Sequence, residues 1–139
     1  MRRTLSYILC YIFWIISTAT TFLLFLAGRE FYLKVMAFII RDRWIGNALD
    51  KFLFVGIAIL WLAIVIYIEA YYRAGVKKGD LIQRFLYVTG IELLFLFTFH
   101  NVPLAIARIG FTPLEVMIAL AELGGAVALI FVALKKRVV

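Results

Sequence analysis

The sequence predicts an all-α integral membrane fold, a four-transmembrane-helix bundle with an amphipathic interfacial helix between helices 1 and 2. Of its 139 residues, 66% are hydrophobic and 17% are charged, whereas soluble domains are about half apolar and about a quarter charged. The apolar residues form four long runs, each near the roughly 20 residues that a crossing helix needs. Lysines and arginines flank these runs, as they do at membrane surfaces. We therefore expect a single membrane domain.

The four crossings are predicted at about 5–27, 52–71, 81–99 and 113–134. The first run is uncharged and follows two arginines. The second stays uncharged until Glu69, which precedes Arg73 by four residues, so the two side chains are expected to form an ion pair on one helix face. The third ends at a histidine and an asparagine. The fourth opens with Thr112-Pro113-Leu114-Glu115, a capping box with proline in the first helical position.

The interfacial helix is predicted at about 30–45, between the first two crossings. Its apolar run, 35–40, is too short to span a bilayer. Glu30, Lys34 and Arg41 share one helical face, with apolar side chains beside and opposite them. This pattern is typical of an amphipathic helix that lies in the headgroup plane, and the Glu30–Lys34 spacing favours an ion pair.

The charge distribution predicts the orientation and the partners of the chain. Nine of the 15 lysines and arginines fall on the side of the predicted membrane that carries both termini, and six fall on the other. Basic loops face the cytoplasm, so we expect a multi-pass plasma-membrane protein with cytoplasmic N- and C-termini. The net charge of +7 sits at the helix ends, where it suits anionic headgroups of the lipid bilayer. We expect no nucleic-acid partner.

Two acidic residues, Glu92 and Glu122, are the only ionisable side chains deep within the predicted crossings. Each lies about ten residues from the same membrane surface, so we expect them at one depth near the midplane. Intramembrane ionisable residues indicate function by default, so the pair is a candidate proton or cation site. The alternative is that both are neutral and form interhelical hydrogen bonds, with partners among Thr18, Thr20, Thr21 and Thr89.

Other candidate residues suggest contacts between helices or subunits. Small residues surround Glu122 and predict a close helix contact within the bundle or between protomers, namely Ala121, Gly124, Gly125 and Ala128. His100 has no second ligand in the chain, so it is at most a ligand shared with another subunit. Cys10 is single and is expected to pack in the core. No motif of catalysis or metal binding occurs, so we predict no enzymatic activity, no metal and no cofactor.

Short motifs along the chain resemble one family of membrane proteins. They are Gly28-Arg29-Glu30, the run 71–75, the run 84–88, Pro113-Leu114-Glu115-Val116 and Lys135-Lys136-Arg137. In this order they resemble the phosphate-starvation-inducible PsiE family of small four-helix membrane proteins of bacteria and archaea. The resemblance implies a plasma-membrane protein linked to phosphate stress, with no assigned enzymatic activity.

The chain departs from this family in its third helix, where the family carries an arginine in the outer half and this sequence has Phe95, Leu96 and Phe97. The leading hypothesis is a non-enzymatic PsiE-like protein that acts through helix–helix contacts, as a homo-oligomer or with other membrane subunits. One alternative is an accessory transmembrane subunit of a respiratory or photosynthetic complex that lends His100. Another is an oligomeric proton- or cation-coupled carrier that uses Glu92 and Glu122.

Overall fold

Four helices account for almost all of the chain in the computed structural model, which describes residues 2–106 and 112–138. They are α1 (Arg2–Ile39), α2 (Arg43–Lys78), α3 (Leu81–Ile106) and α4 (Pro113–Val138). Each contains a stretch long and apolar enough to cross a membrane. No strand occurs in the described residues. The all-α prediction with four helices of membrane-spanning character is confirmed.

The structure does not support the interfacial helix predicted at 30–45. Instead α1 continues without a break to Ile39, and α2 begins at Arg43. No proline interrupts this part of α1, and the expected Glu30–Lys34 ion pair forms along it at 3.8 Å. The 38 residues of α1 are about 57 Å long, against about 30 Å of hydrocarbon in a bilayer. The charged segment therefore lengthens α1, and the chain reverses only at residues 40–42.

Local capping explains where the helices begin and end. The Asp42 side chain accepts a hydrogen bond from the Trp44 backbone N–H at 2.9 Å and starts α2. Gly79 ends α2 in the left-handed region, with φ of 76°, which glycine adopts without steric cost. The predicted capping box of α4 is confirmed, because Thr112 Oγ1 accepts from Glu115 N–H and Glu115 Oε2 accepts from Thr112 N–H.

The helix α3 lies at the centre of the arrangement. It packs against α1, α2 and α4, and α1 also packs against α2. In the described part of the chain, α4 contacts α3 alone and meets neither α1 nor α2. The four helices therefore form a three-helix unit with α4 attached to one side, rather than a closed square bundle.

The core of the three-helix unit is small and aromatic. Tyr72 and Cys10 are buried at its centre, and the rings of Phe13 and Phe85 stack with centroids 4.2 Å apart. The placement of Cys10 agrees with its predicted packing role. Large apolar side chains remain exposed on every helix. Such a surface is unfavourable in water and suits contact with lipid.

A glycine allows the close approach of α3 and α4. A Cβ atom on Gly90 would lie 2.6 Å from Ile130 Cγ1 and 3.2 Å from the Ala126 carbonyl oxygen. Both distances are shorter than normal contacts, and the second involves backbone that has little freedom to move. Ala126 itself is fully buried against α3. The two backbones therefore meet at a small-residue contact of the kind that drives helix association in lipid.

We predict that Gly90→Ala destabilises the protein by about 1–3 kcal/mol, the usual cost of overpacking. The matched control is Gly56→Ala, because a Cβ at Gly56 meets nothing within 4 Å, and there the better helix propensity of alanine adds up to about 1 kcal/mol. Thermal unfolding in detergent micelles, followed by circular dichroism, measures both. Equal effects of the two substitutions would contradict the close contact at Gly90.

Candidate functional site

Glu92 is a buried carboxylic acid on the face of α3 that is turned toward α1. Phe85 and Phe99 lie seven residues before and after it, nearly two full turns, and so share its face. Phe85 stacks on Phe13, and Phe99 packs on Phe31 with ring centroids 5.5 Å apart. Glu92 is only 4% exposed. It follows Leu81 by about 17 Å along the helix, a length of about half the thickness of a hydrocarbon layer.

A buried hydrogen bond joins α1 to α2. Ser17 Oγ and the Tyr72 hydroxyl are 2.7 Å apart, and both residues are fully buried. The apolar core of the three-helix unit therefore includes buried polar side chains from three helices, among them Ser17, Tyr72 and Glu92.

The Glu92 carboxyl is unsatisfied in this core. Both of its oxygens are buried and have no hydrogen-bond partner among the described residues, and the same holds for Thr89 Oγ1 and Thr18 Oγ1. A buried polar group without a partner costs about 1–3 kcal/mol, and more when it is charged. Glu92 is therefore a group that gains free energy by binding a proton, a cation or water.

The threonines of α1 do not provide the expected partners. Thr20 Oγ1 donates to the Ile16 carbonyl oxygen at 3.0 Å, and Thr21 Oγ1 donates to the Thr18 carbonyl oxygen at 3.0 Å. Hydroxyls that bond back to their own helix satisfy themselves locally. The hydrogen bonds proposed between the glutamates and these threonines are absent from the described structure.

Glu122 lies at a different interface, between α3 and α4. Its Oε1 atom is 3.6 Å from His100 Nδ1, with side-chain exposures of 18% and 43% for Glu122 and His100. His100 follows Glu92 by eight residues, which is about 12 Å along α3 and about 80° around it. Leu93, seven residues before His100, packs near Gly125 of α4 on the same side.

The structure therefore does not bring the two glutamates together. Glu92 faces the three-helix unit, whereas Glu122 faces the α3–α4 contact, where its Oε2 atom is buried without a hydrogen-bond partner among the described residues. The spacing along the sequence gives the expected depth of each glutamate but not the direction of its side chain around the helix. Equal depth therefore did not require the two glutamates to share a site. The predicted ligand His100 lies near this acid of its own chain.

The predicted small-residue contact divides between two faces of α4. Gly125 faces α3, with Leu93 Cδ1 lying 3.6 Å from the position of an added Cβ, whereas an added Cβ at Gly124 would meet nothing within 4 Å. Ala121 and Ala128 are exposed on the same outer side as Gly124. Three of the four predicted residues therefore face away from α3.

Two further small residues of α4, which sequence reasoning missed, pack against α3. Ala126 and Ala133 are buried against α3, and the Ala133 carbonyl oxygen accepts a hydrogen bond from Gln83 Nε2 at 2.6 Å. Their seven-residue spacing is the signal in the sequence, because it places both on one helix face. This spacing is less conspicuous in the sequence than the denser cluster of small residues around Glu122.

A buried arginine at the turn between α2 and α3 was also missed. Arg84 is only 8% exposed, and it donates to Asp80 Oδ1 at 2.9 Å and to the Tyr71 carbonyl oxygen at 2.8 Å. Its guanidinium also lies over the Tyr71 ring, 4.5 Å from the centroid. Gly75 leaves room for the Arg84 side chain. The Asp80–Arg84 spacing of four residues is the signal that identifies this pair.

Ion pairs near the helix ends hold α1 and α2 in register. The Tyr32 hydroxyl and the Arg29 guanidinium of α1 both donate to the Asp50 carboxylate of α2. The predicted Glu69–Arg73 pair is confirmed, and Arg73 also donates to the Tyr11 hydroxyl. The contacts to Asp50 and Tyr11 join α1 to α2, whereas the Glu69–Arg73 pair lies within α2.

Comparison with known proteins gave no relative. No family model matches the chain, and neither the curated proteins nor the solved structures gave a significant match. Within the described residues, no three His, Cys, Asp or Glu side chains come together as a metal site. The resemblance to the PsiE family therefore stays a prediction from short sequence motifs.

We predict that Glu92→Leu raises the stability of the folded protein, whereas Tyr72→Phe lowers it. Leucine removes an unsatisfied buried carboxyl, which costs about 1–3 kcal/mol in the native protein. Phenylalanine removes a satisfied hydrogen bond and orphans the Ser17 hydroxyl, at a cost of about 1 kcal/mol or more. Unfolding in mixed micelles with increasing denaturing detergent measures both variants. Loss of stability in Glu92→Leu would show that the carboxyl has a partner.

Proposed function

We propose that this chain is a non-enzymatic multi-pass protein of the plasma membrane that acts through contacts between its helices. The observation that supports this proposal most directly is the position of α4, which packs on α3 alone. In the proposed orientation both termini are cytoplasmic, as the distribution of lysines and arginines favours. The PsiE resemblance adds a link to phosphate stress to this proposal.

The outer face of α4 is the proposed contact, defined by Ala121, Gly124 and Ala128. These small residues are exposed, and the space beside Gly124 is open. Helices in lipid associate through van der Waals packing, which small side chains favour because they let two backbones approach closely. A second copy of the chain, packed through the same face, supplies such a backbone. We therefore propose a homo-oligomer with α4 at its interface.

We predict that Gly124→Cys in a Cys10→Ser background forms a disulfide-linked dimer in liposomes under mild oxidation, because the two copies of Gly124 face each other across the interface. Leu60→Cys is the control, since Leu60 is 59% exposed on α2 and lies outside the proposed contact. Non-reducing gels at several lipid-to-protein ratios measure the cross-link. Equal cross-linking of both cysteines, or no cross-link at Gly124→Cys, would contradict the α4 interface. A cross-link to an unrelated chain would favour an accessory subunit instead.

A proton- or cation-coupled carrier is the second candidate function, and the unpaired Glu92 carboxyl favours it. A buried acid near the middle of a membrane is able to take up a charge on one side and release it on the other. In this form of the hypothesis Glu92 acts alone within its helix unit, because Glu122 lies at another interface, near His100. The hydrogen-bonded Ser17 and Tyr72 are further buried polar groups of the same three-helix unit.

For the carrier we predict that Glu92→Gln abolishes proton flux driven by a pH gradient in proteoliposomes, because glutamine cannot exchange a proton. Glu122→Gln retains most of the flux, since that residue lies outside the three-helix unit. A pH-sensitive dye trapped in the vesicles measures the rate. Absence of flux in the wild-type protein, or equal flux in wild type and Glu92→Gln, would exclude Glu92 from transport.

A further inference from the structure

A cleft of about 920 Å³ opens at the end of the molecule that carries the α2–α3 turn. It lies between the N-terminal part of α1 and the C-terminal part of α4, two helices that do not contact each other in the described structure. The α2–α3 turn forms its floor, with Gly79 and Asp80 among the lining residues. The volume is within the range of sites for small molecules, roughly 300–1,000 Å³.

The polarity of the cleft changes along its length. Lys135 of α4 and Ser6 of α1 line it near the helix ends, where the stretches able to cross a membrane also end. About one turn deeper, the lining is apolar and includes Leu9, Phe131 and Val132. A ligand that fits has a polar head at the surface and a hydrocarbon chain below it, which is the structure of a membrane lipid.

The charges at the cleft favour an anionic head. Lys135 is exposed and forms no ion pair with another described residue. The acidic residue in the lining, Asp80, is already paired with the buried Arg84 guanidinium at 2.9 Å, so its charge is compensated. Lys77 and Lys78 lie exposed in the last turn of α2 at the same end. The electrostatic potential at the mouth of the cleft is therefore positive.

We propose that this cleft binds an anionic phospholipid, with its phosphate at Lys135 and an acyl chain between Leu9 of α1 and Phe131 and Val132 of α4. Lysines at a membrane surface attract anionic headgroups, and the acyl chain fills the space that the missing α1–α4 contact leaves open. The bound lipid then joins α4 to α1, which protein contacts alone do not do. The inference depends on the membrane location and is independent of the α4 dimer and of Glu92.

Native mass spectrometry of the detergent-solubilised protein tests this proposal with phosphatidylglycerol and phosphatidylcholine of identical acyl chains. We expect retained phosphatidylglycerol on the wild-type protein, and about fivefold weaker binding after Lys135→Gln, the factor expected for one lysine at an anionic surface. Lys51→Gln is the matched control, because this exposed lysine lies near the opposite end of α2. It should leave binding unchanged.

A second variant tests the acyl-chain part of the cleft without changing charge. Val132→Trp fills the apolar lining and should remove the retained phosphatidylglycerol, while its circular dichroism spectrum shows that the helices are intact. Equal retention of the two lipids, or an equal loss with Lys51→Gln and Lys135→Gln, would overturn the proposal. Displacement of the lipid by millimolar inorganic phosphate would overturn it too, because a free anion would then account for the site.

Discussion

The arrangement depends on α3, because it is the one helix of the described chain that contacts all three others. One face carries Phe85 and Phe99 and packs on α1. The other carries Gly90 and packs so closely on α4 that a methyl group at this position would clash. The remaining features follow from this division, including the separation of the two deep glutamates, the uncovered face of α4 and the cleft between α4 and α1.

The buried side chains of Arg84 and Glu92 have very different surroundings. Arg84 is surrounded by acceptors from Asp80 and Tyr71 and lies over an aromatic ring, so its burial fixes the α2–α3 turn. Glu92 is buried to a similar extent, yet its oxygens have no partner in the described chain. Removing one partner of a buried ion pair is strongly destabilising, and a buried polar group that has no partner also costs stability. Proteins accept such costs at functional sites, which is why Glu92 is the residue of greatest interest.

Much of the fold could be predicted because long apolar runs in the sequence directly indicate helices able to span a membrane. The capping box at Thr112 and the ion pair between Glu69 and Arg73 were also predictable, since both depend on spacing within one helix. The continuation of α1 through the charged segment could not be predicted. An amphipathic pattern fits a separate helix that lies flat on the membrane, and it fits equally well an extension of the preceding helix. The separation of Glu92 from Glu122 was not predictable either, since it depends on which face of α3 each neighbouring helix covers.

The most direct test of this account is the position of α4 relative to α3 and α1 in a lipid bilayer. Two double-cysteine variants in a Cys10→Ser background report it, Leu93→Cys with Gly125→Cys across α3 and α4, and Leu9→Cys with Val132→Cys across the cleft. Disulfide formation requires Cα atoms within about 7 Å. Rapid cross-linking of the first pair within one chain and none of the second is the result expected. Cross-linking of the second pair in preference to the first would place α4 against α1 and contradict the central role of α3.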